Sequence, residues 1–227
     1  MTWRLLVTHD HSGGEHGSHG DWEFTQVFWD DRYRSADRIW SGNPNAQLVG
    51  QLSDLAPGRA LDAGCGEGAD AIWLAGRGWS VTAVDVSVVA LSRGAESAVA
   101  ALGDAAAARI TWQQEDLLSW QPPEAEFDLV SAQYLHVPDF AGLHRRLARA
   151  VRPGGTFLAV THHADDLHAN VGRRGDAARF PTTEQMQAAL DGGDWEILAA
   201  EAPGREVEDL DGHLVTVRDT VLRAVRR

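Results

Sequence analysis

The densest chemistry in the chain lies in Leu61-Asp62-Ala63-Gly64-Cys65-Gly66-Glu67-Gly68-Ala69-Asp70. Glycines at alternate positions let the backbone turn tightly and approach a ligand closely. The apolar run before them reads as a strand and the pattern after them as a helix, whose first turn offers free amide donors. That arrangement binds a nucleotide-like cofactor at the carboxyl edge of a parallel sheet. Asp85 ends the next apolar run, Ser80-Val81-Thr82-Ala83-Val84. A carboxylate there can accept two hydrogen bonds from a ribose diol.

Two cofactors compete for this loop. Gly64, Gly66 and Ala69 satisfy the dinucleotide pattern G-x-G-x-x-G/A, a weak match by itself. Asp62 discriminates, because an acid just before the glycines repels a pyrophosphate. It attracts the sulfonium and α-ammonium of S-adenosylmethionine, and Gly68 completes the form G-x-G-x-G. A nicotinamide-dependent oxidoreductase using the same loop is the alternative.

Histidines supply the candidate acid–base groups. His136 follows one apolar run, in Gln133-Tyr134-Leu135-His136, and His162-His163 follow another, Thr156-Phe157-Leu158-Ala159-Val160. Both strand ends fall on the cofactor edge of an open parallel sheet, and imidazole titrates near neutral pH. His136, His162 and His163 are therefore the candidates for lining the acceptor pocket or acting as base. His144 and His213 read as surface residues. Arg173, Arg174 and Arg179 are candidate anion binders that loop position makes more often solvated. His9, His11, His16 and His19 lie in HDHSGGEHGSHG, whose spacing matches no closed metal site. They are weak metal candidates only, and no metal is assigned. Cys65 reads as a small packing residue.

Composition removes several classes. All 20 basic residues are Arg, so Schiff-base lysine chemistry and a P-loop lysine are excluded. With 33 acidic residues the formal charge is −13, which disfavours nucleic acid and anionic membranes as partners. The single Cys forms no intramolecular disulfide, and the N-terminal residues lack a secretory h-region. A cytoplasmic protein with a small-molecule partner is the expectation.

The elements that must position these groups alternate from residue 58 onward. Strands are expected at 58–63, 80–85, 110–113, 127–131 and 156–160, with helices over 68–77, 87–102 and 139–151 between them. Alternation of this kind implies right-handed crossovers and a parallel sheet. Thr182 and Gln185 suggest a capping box for a helix over 183–191. Trp195–Ala200 reads as a sixth strand and Leu214–Ala224 as a seventh, too close for a helix between them and so antiparallel. Asn43-Pro44 predicts a helix cap opening a helix over 44–56. The expected fold class is α/β: a doubly wound, Rossmann-like, seven-stranded sheet, mostly parallel with the last strand antiparallel, and helices on both faces. Residues 1–20 read as a flexible His-rich tail, 21–57 as a helical lid and 58–227 as the main domain.

Across about residues 28 to 225 the sequence resembles the class I S-adenosylmethionine-dependent methyltransferases. Leu61–Gly68 matches the first motif, Val84-Asp85-Val86-Ser87 the acidic second-strand motif and Glu115-Asp116-Leu117-Leu118 the adenine-side motif. Phe127-Asp128-Leu129-Val130 matches the fourth strand and Arg152-Pro153-Gly154-Gly155 the turn before the fifth. The segment from Trp29-Asp30-Asp31-Arg32-Tyr33 to Trp40-Ser41-Gly42-Asn43-Pro44 is similar to the tellurite, thiol and thiopurine methyltransferase branch. The resemblance implies that Asp62, Gly64, Gly66 and Gly68 face the methionine end and Asp85 the ribose. It places Val86 under the adenine, Asp116 at its amino group, Leu117 over the ring, Gln133 at the methyl-transfer site and Trp40 as a cover. It implies transfer of a methyl group to O, N or S of a small molecule by in-line displacement, with metalloid or thiol detoxification as a narrower alternative.

Overall fold

Side chains alternate across the strands, and both alternating sets are buried. Ala60, Leu129, Leu158, Val160 and Val221 enter one apolar cluster, while Leu61, Val130, Phe157, Ala159 and Leu222 enter another. Strands of this kind need helices on both faces of the sheet. The computed structural model describes residues 25–169, 171, 179–190 and 194–227.

In chain order the helices are α1 (Gln26–Arg34), α2 (Ala46–Leu52), α3 (Ala69–Gly76), α4 (Val88–Leu102), α5 (Asp104–Ala107), α6 (Phe140–Arg149) and α7 (Thr183–Ala188). The strands are β1 (Arg59–Ala63), β2 (Ser80–Asp85), β3 (Ile110–Gln114), β4 (Phe127–Gln133), β5 (Val151–His162), β6 (Trp195–Glu201), β7 (Gly204–Glu208) and β8 (Leu214–Arg226). Sheet order is β3-β2-β1-β4-β5-β8-β6, with β7 paired to β8. Strands β1 to β5 pair in parallel, and β8 runs antiparallel to β5, β6 and β7. Leu48, Leu52 and Leu74 cover one face; Leu143, Leu147 and Met186 cover the other. Strand order reverses between β1 and β4, which opens a crevice at their carboxyl ends. Among the described residues no helix is long and apolar enough to cross a membrane.

The mostly parallel α/β sheet whose last strand in chain order is antiparallel matches the expectation, with three differences. First, the link between β6 and β8 holds an extra strand, β7. It pairs with the first half of β8, from Glu208↔Leu214 to Gly204↔Arg218, while β6 takes the second half. Second, β5 begins at Val151 rather than 156, with its pairing offset between Phe127 and Leu129. Third, the helix expected at 44–56 is shorter. Asn45, not Asn43, caps α2 by accepting from the Gln47 amide at 2.8 Å. The helix stops at Leu52, short of Pro57, whose ring disfavours a helical residue before it. The capping box of Thr182 and Gln185 is present. The His-rich segment, Arg173 and Arg174 lie outside the described residues.

His144 corrects an expectation: it is buried in α6, not on the surface. Its ring lies 5.7 Å from Phe140 and 5.6 Å from Phe157, edge-on to both. Burial pushes its titration from 6.5 down to about 4. The fold therefore refuses a proton that the unfolded chain accepts, and stability falls as pH drops from about 6.5 to about 4. Urea unfolding should lose roughly 3 kcal/mol more over that window in the wild type than in His144→Leu. Parallel pH dependence in the two proteins would refute this.

Candidate functional site

The glycine loop is built against β2. Amides of Gly64 and Cys65 both donate to the Val84 carbonyl, at 2.8 and 2.9 Å. Gly64 has φ +72°, and a Cβ there would meet Leu135 Cδ2 at 2.2 Å. Leu135 thus brings the segment after β4 onto the loop. Gly68, at φ +77°, caps α3, and a Cβ there would sit 2.3 Å from the Trp112 ring. Packing against β3 is what requires glycine at this position.

Three carboxylates surround the loop. Asp62 is buried at the end of β1, takes the Ala71 amide of α3, and leaves Oδ2 buried without a hydrogen-bond partner. Asp70 accepts from the Asn45 amide at 2.6 Å. Asp85 is buried too, with Oδ2 accepting from the Gly66 amide at 2.8 Å and Oδ1 from the Ser87 amide at 2.9 Å. None of the three has an ion-pair partner among the described residues. Burial, then the charges of Asp70 and Asp85, push Asp62 well above the carboxylate range. Burial pushes Asp70 up to about 6 and raises Asp85 as well. A cation entering here would relieve all three; a phosphate would be repelled.

The N-terminal segment lies over this loop. Asp30 of α1 is buried and accepts from Ser87 Oγ at 2.6 Å and the Val89 amide at 3.3 Å, which joins α1 to the start of α4. Glu67 accepts from the Ile39 and Trp40 amides at 3.2 and 3.3 Å and pairs with Arg93 at 3.3 Å. Trp40 Nε1 donates to Tyr33 Oη at 3.0 Å, and the two side chains stand over Gly66.

On the other flank Val86 is half-buried, Leu117 buried and Asp116 exposed, with Asp116 Oδ1 taking the Leu118 amide at 2.9 Å. Gln133 closes β4, accepting from Asn45 Nδ2 at 2.8 Å and donating to Ser131 Oγ at 2.9 Å. Beyond it, His136 and His162 stack with ring centres 5.1 Å apart, between Tyr134 at 4.3 Å from His162 and Phe180 at 4.7 Å from His136. His163 accepts instead from the Asp165 amide, as the cap of a short 3-10 turn.

Residues 60–155 match a family described as "Methyltransferase domain". An uncharacterized methyltransferase of Mycobacterium tuberculosis is 35% identical over 128 residues, 55% of this chain and 61% of that protein. The 27-O-demethylrifamycin SV methyltransferase of Amycolatopsis mediterranei is 32% identical over 149 residues, 64% of this chain and 51% of that one. The chain thus spans between half and two thirds of these relatives. A solved S-adenosylmethionine-dependent methyltransferase from Mesorhizobium loti shares the fold, with a TM-score of 0.56 at 23% identity over 79% of this chain and 95% of its own. Residues 60–155 thus match a methyltransferase domain, within a fold that the solved methyltransferase shares.

The matched domain and the fold imply S-adenosylmethionine as cofactor, and the residues present fit it. Asp62 Oδ2, buried and unpartnered, is an acceptor awaiting a cationic donor. Asp30, Asn45, Glu67 and Asp70 were missed as site residues from the sequence. Asp70 was within reach, since an acid in the first turn of the helix after the loop must face it. Asp128 of the fourth-strand motif is structural, accepting from the Arg59 amide and from Arg152. Because Asp62 is buried among like charges, Asp62→Asn should stabilise the ligand-free protein, by on the order of 1 kcal/mol. Thermal unfolding without ligand checks this, and a lower melting temperature in the variant would contradict it.

Proposed function

We propose that this chain transfers a methyl group from S-adenosylmethionine to a small-molecule acceptor. The observation that carries the reading is the buried, unpartnered carboxylate of Asp62 among Asp70 and Asp85 at a glycine loop. When bound, the cofactor supplies a methyl already activated on a sulfonium. Asp62 and Gly64 would hold its methionine end and Asp85 its ribose. Val86, Asp116 and Leu117 would flank the adenine, and Trp40 would cover the loop. Gln133, fixed by Asn45 and Ser131, would border the transfer site. Orienting the reactants can supply on the order of 7–11 kcal/mol of the barrier. Acceptor chemistry belongs to the side of the crevice with His136 and His162. The formal charge of −13 supports a small acceptor over nucleic acid.

Calorimetric titration tests the reading. S-adenosylmethionine and S-adenosylhomocysteine should bind, and Asp85→Ala should weaken both at least tenfold, the loss of one charge-assisted hydrogen bond or more. Asp70 loses its charge as pH falls through about 6. Affinity for both ligands, each of which brings an α-ammonium, should therefore fall up to about tenfold between pH 7.5 and 5. Binding of NAD in preference to both would overturn the assignment and favour an oxidoreductase.

A further inference from the structure

β8 carries a charged side chain into the middle of the sheet. Asp219 is 1% exposed and stands in register with His162 of β5, so the two side chains share a face. Asp219 Oδ1 lies 3.7 Å from His162 Nδ1. Its Oδ2 accepts from Arg205 Nε at 3.0 Å and from Gln47 Nε2 at 3.5 Å. Arg205 comes from β7, the strand that the sequence reading omitted. Burial opposes ionisation of Asp219, but His162 and Arg205 carry its carboxyl down to about 2.

The other groups facing this pair are Tyr134, His136 and Asn45. Burial, then the Asp219 charge, raise the Tyr134 phenol above its ordinary range, so it stays protonated and is no base near neutral pH. Tyr134 hydrogen-bonds Asp219 and Asn45, and Asn45 bonds Gln133, so the pair is tied to the end of β4. His162 Nδ1 is sealed from solvent, while the side chain as a whole is 24% exposed. The exposure therefore belongs to the rest of the ring.

We infer that Asp219 is a positioning residue: it holds His162 with the proton on Nδ1, so that Nε2 takes the proton of a hydroxyl or thiol acceptor, and Arg205 keeps the carboxylate in place. The inference rests on the methyl-transfer reading above and narrows its acceptor to one that must lose a proton. The acceptor's X–H bond breaks, the proton passes to Nε2, and the electron pair stays on X for the new bond to the methyl carbon, whose bond to the donor's sulfur would break with its electrons left on sulfur as the departing neutral thioether. The resulting imidazolium sits against the Asp219 carboxylate and later returns its proton to solvent. Contacts of this kind shorten when substrate binds.

Nitrogen-detected NMR of the full chain tests this without knowledge of the acceptor, with His162 assigned by its loss in His162→Gln. Neutral His162 in the wild type should be the Nδ1–H tautomer. Asp219→Asn should lower its titration midpoint by about one unit or more and erase the tautomer preference, and Asp219→Glu should restore both in part. An Nε2–H tautomer in the wild type overturns the proposal without any variant. So does an unchanged midpoint in an Asp219→Asn protein that still unfolds cooperatively. S-adenosylhomocysteine titrated into the same samples reports the cofactor reading separately. Failure to bind it, with the Nδ1–H tautomer intact, would remove the reaction that the pair serves and overturn the role while leaving the geometry.

Discussion

A carboxylate buried without a counter-charge is the constraint around which the rest is arranged. Asp62 ends β1 at 2% exposure, with Asp70 and Asp85 as neighbours rather than an arginine. Removing an anion from water costs several kcal/mol unless a partner compensates. Among the described residues Asp62 receives one backbone amide and no cation. Such an expense persists in a structure where a ligand repays it. The charge also sets the sign of the ligand: the glycine loop could hold a pyrophosphate by its geometry, and the acids beside it forbid one.

The surrounding structure keeps that cradle in shape. Asp30 and Glu67 tie the N-terminal segment to the start of α4 and to the loop, so Tyr33 and Trp40 stand over Gly66. Asn45 caps α2, donates to Gln133 and presents its amide to Asp70, joining the loop to the end of β4. From β4 the chain of contacts continues through Tyr134 to His162, Asp219 and Arg205. The glycine loop and the histidine pair are thus joined along one polar edge, spread over the carboxyl ends of β1, β2, β4 and β5. The reversal of strand order between β1 and β4 leaves room for ligands there.

Much of this was legible because burial leaves a periodic trace. Strands β1, β2, β4 and β5 are covered on both faces and read as apolar runs between helical patterns. β7 left no such trace: Gly204-Arg205-Glu206-Val207-Glu208 buries only Val207, and its place is set by pairing with β8. Arg205 was lost with it, and Asp219 looked like one polar position in an alternating strand. His144 was readable in principle. Phe140, Leu143, His144 and Leu147 form a stripe at helical spacing, so the imidazole had to face the core. Asn45 was hidden by the stronger local signal of Asn43-Pro44. The loop acids were legible as types, yet their mutual crowding is a tertiary fact.

The most direct test of the account is a crystal structure of the chain with S-adenosylhomocysteine. The account predicts the α-ammonium within hydrogen-bonding distance of Asp62 Oδ2, the ribose hydroxyls on Asp85, and the adenine against Val86 and Leu117. A ligand seated with its ammonium away from Asp62, or density only outside the crevice, would contradict the claim that the buried acid selects the cofactor.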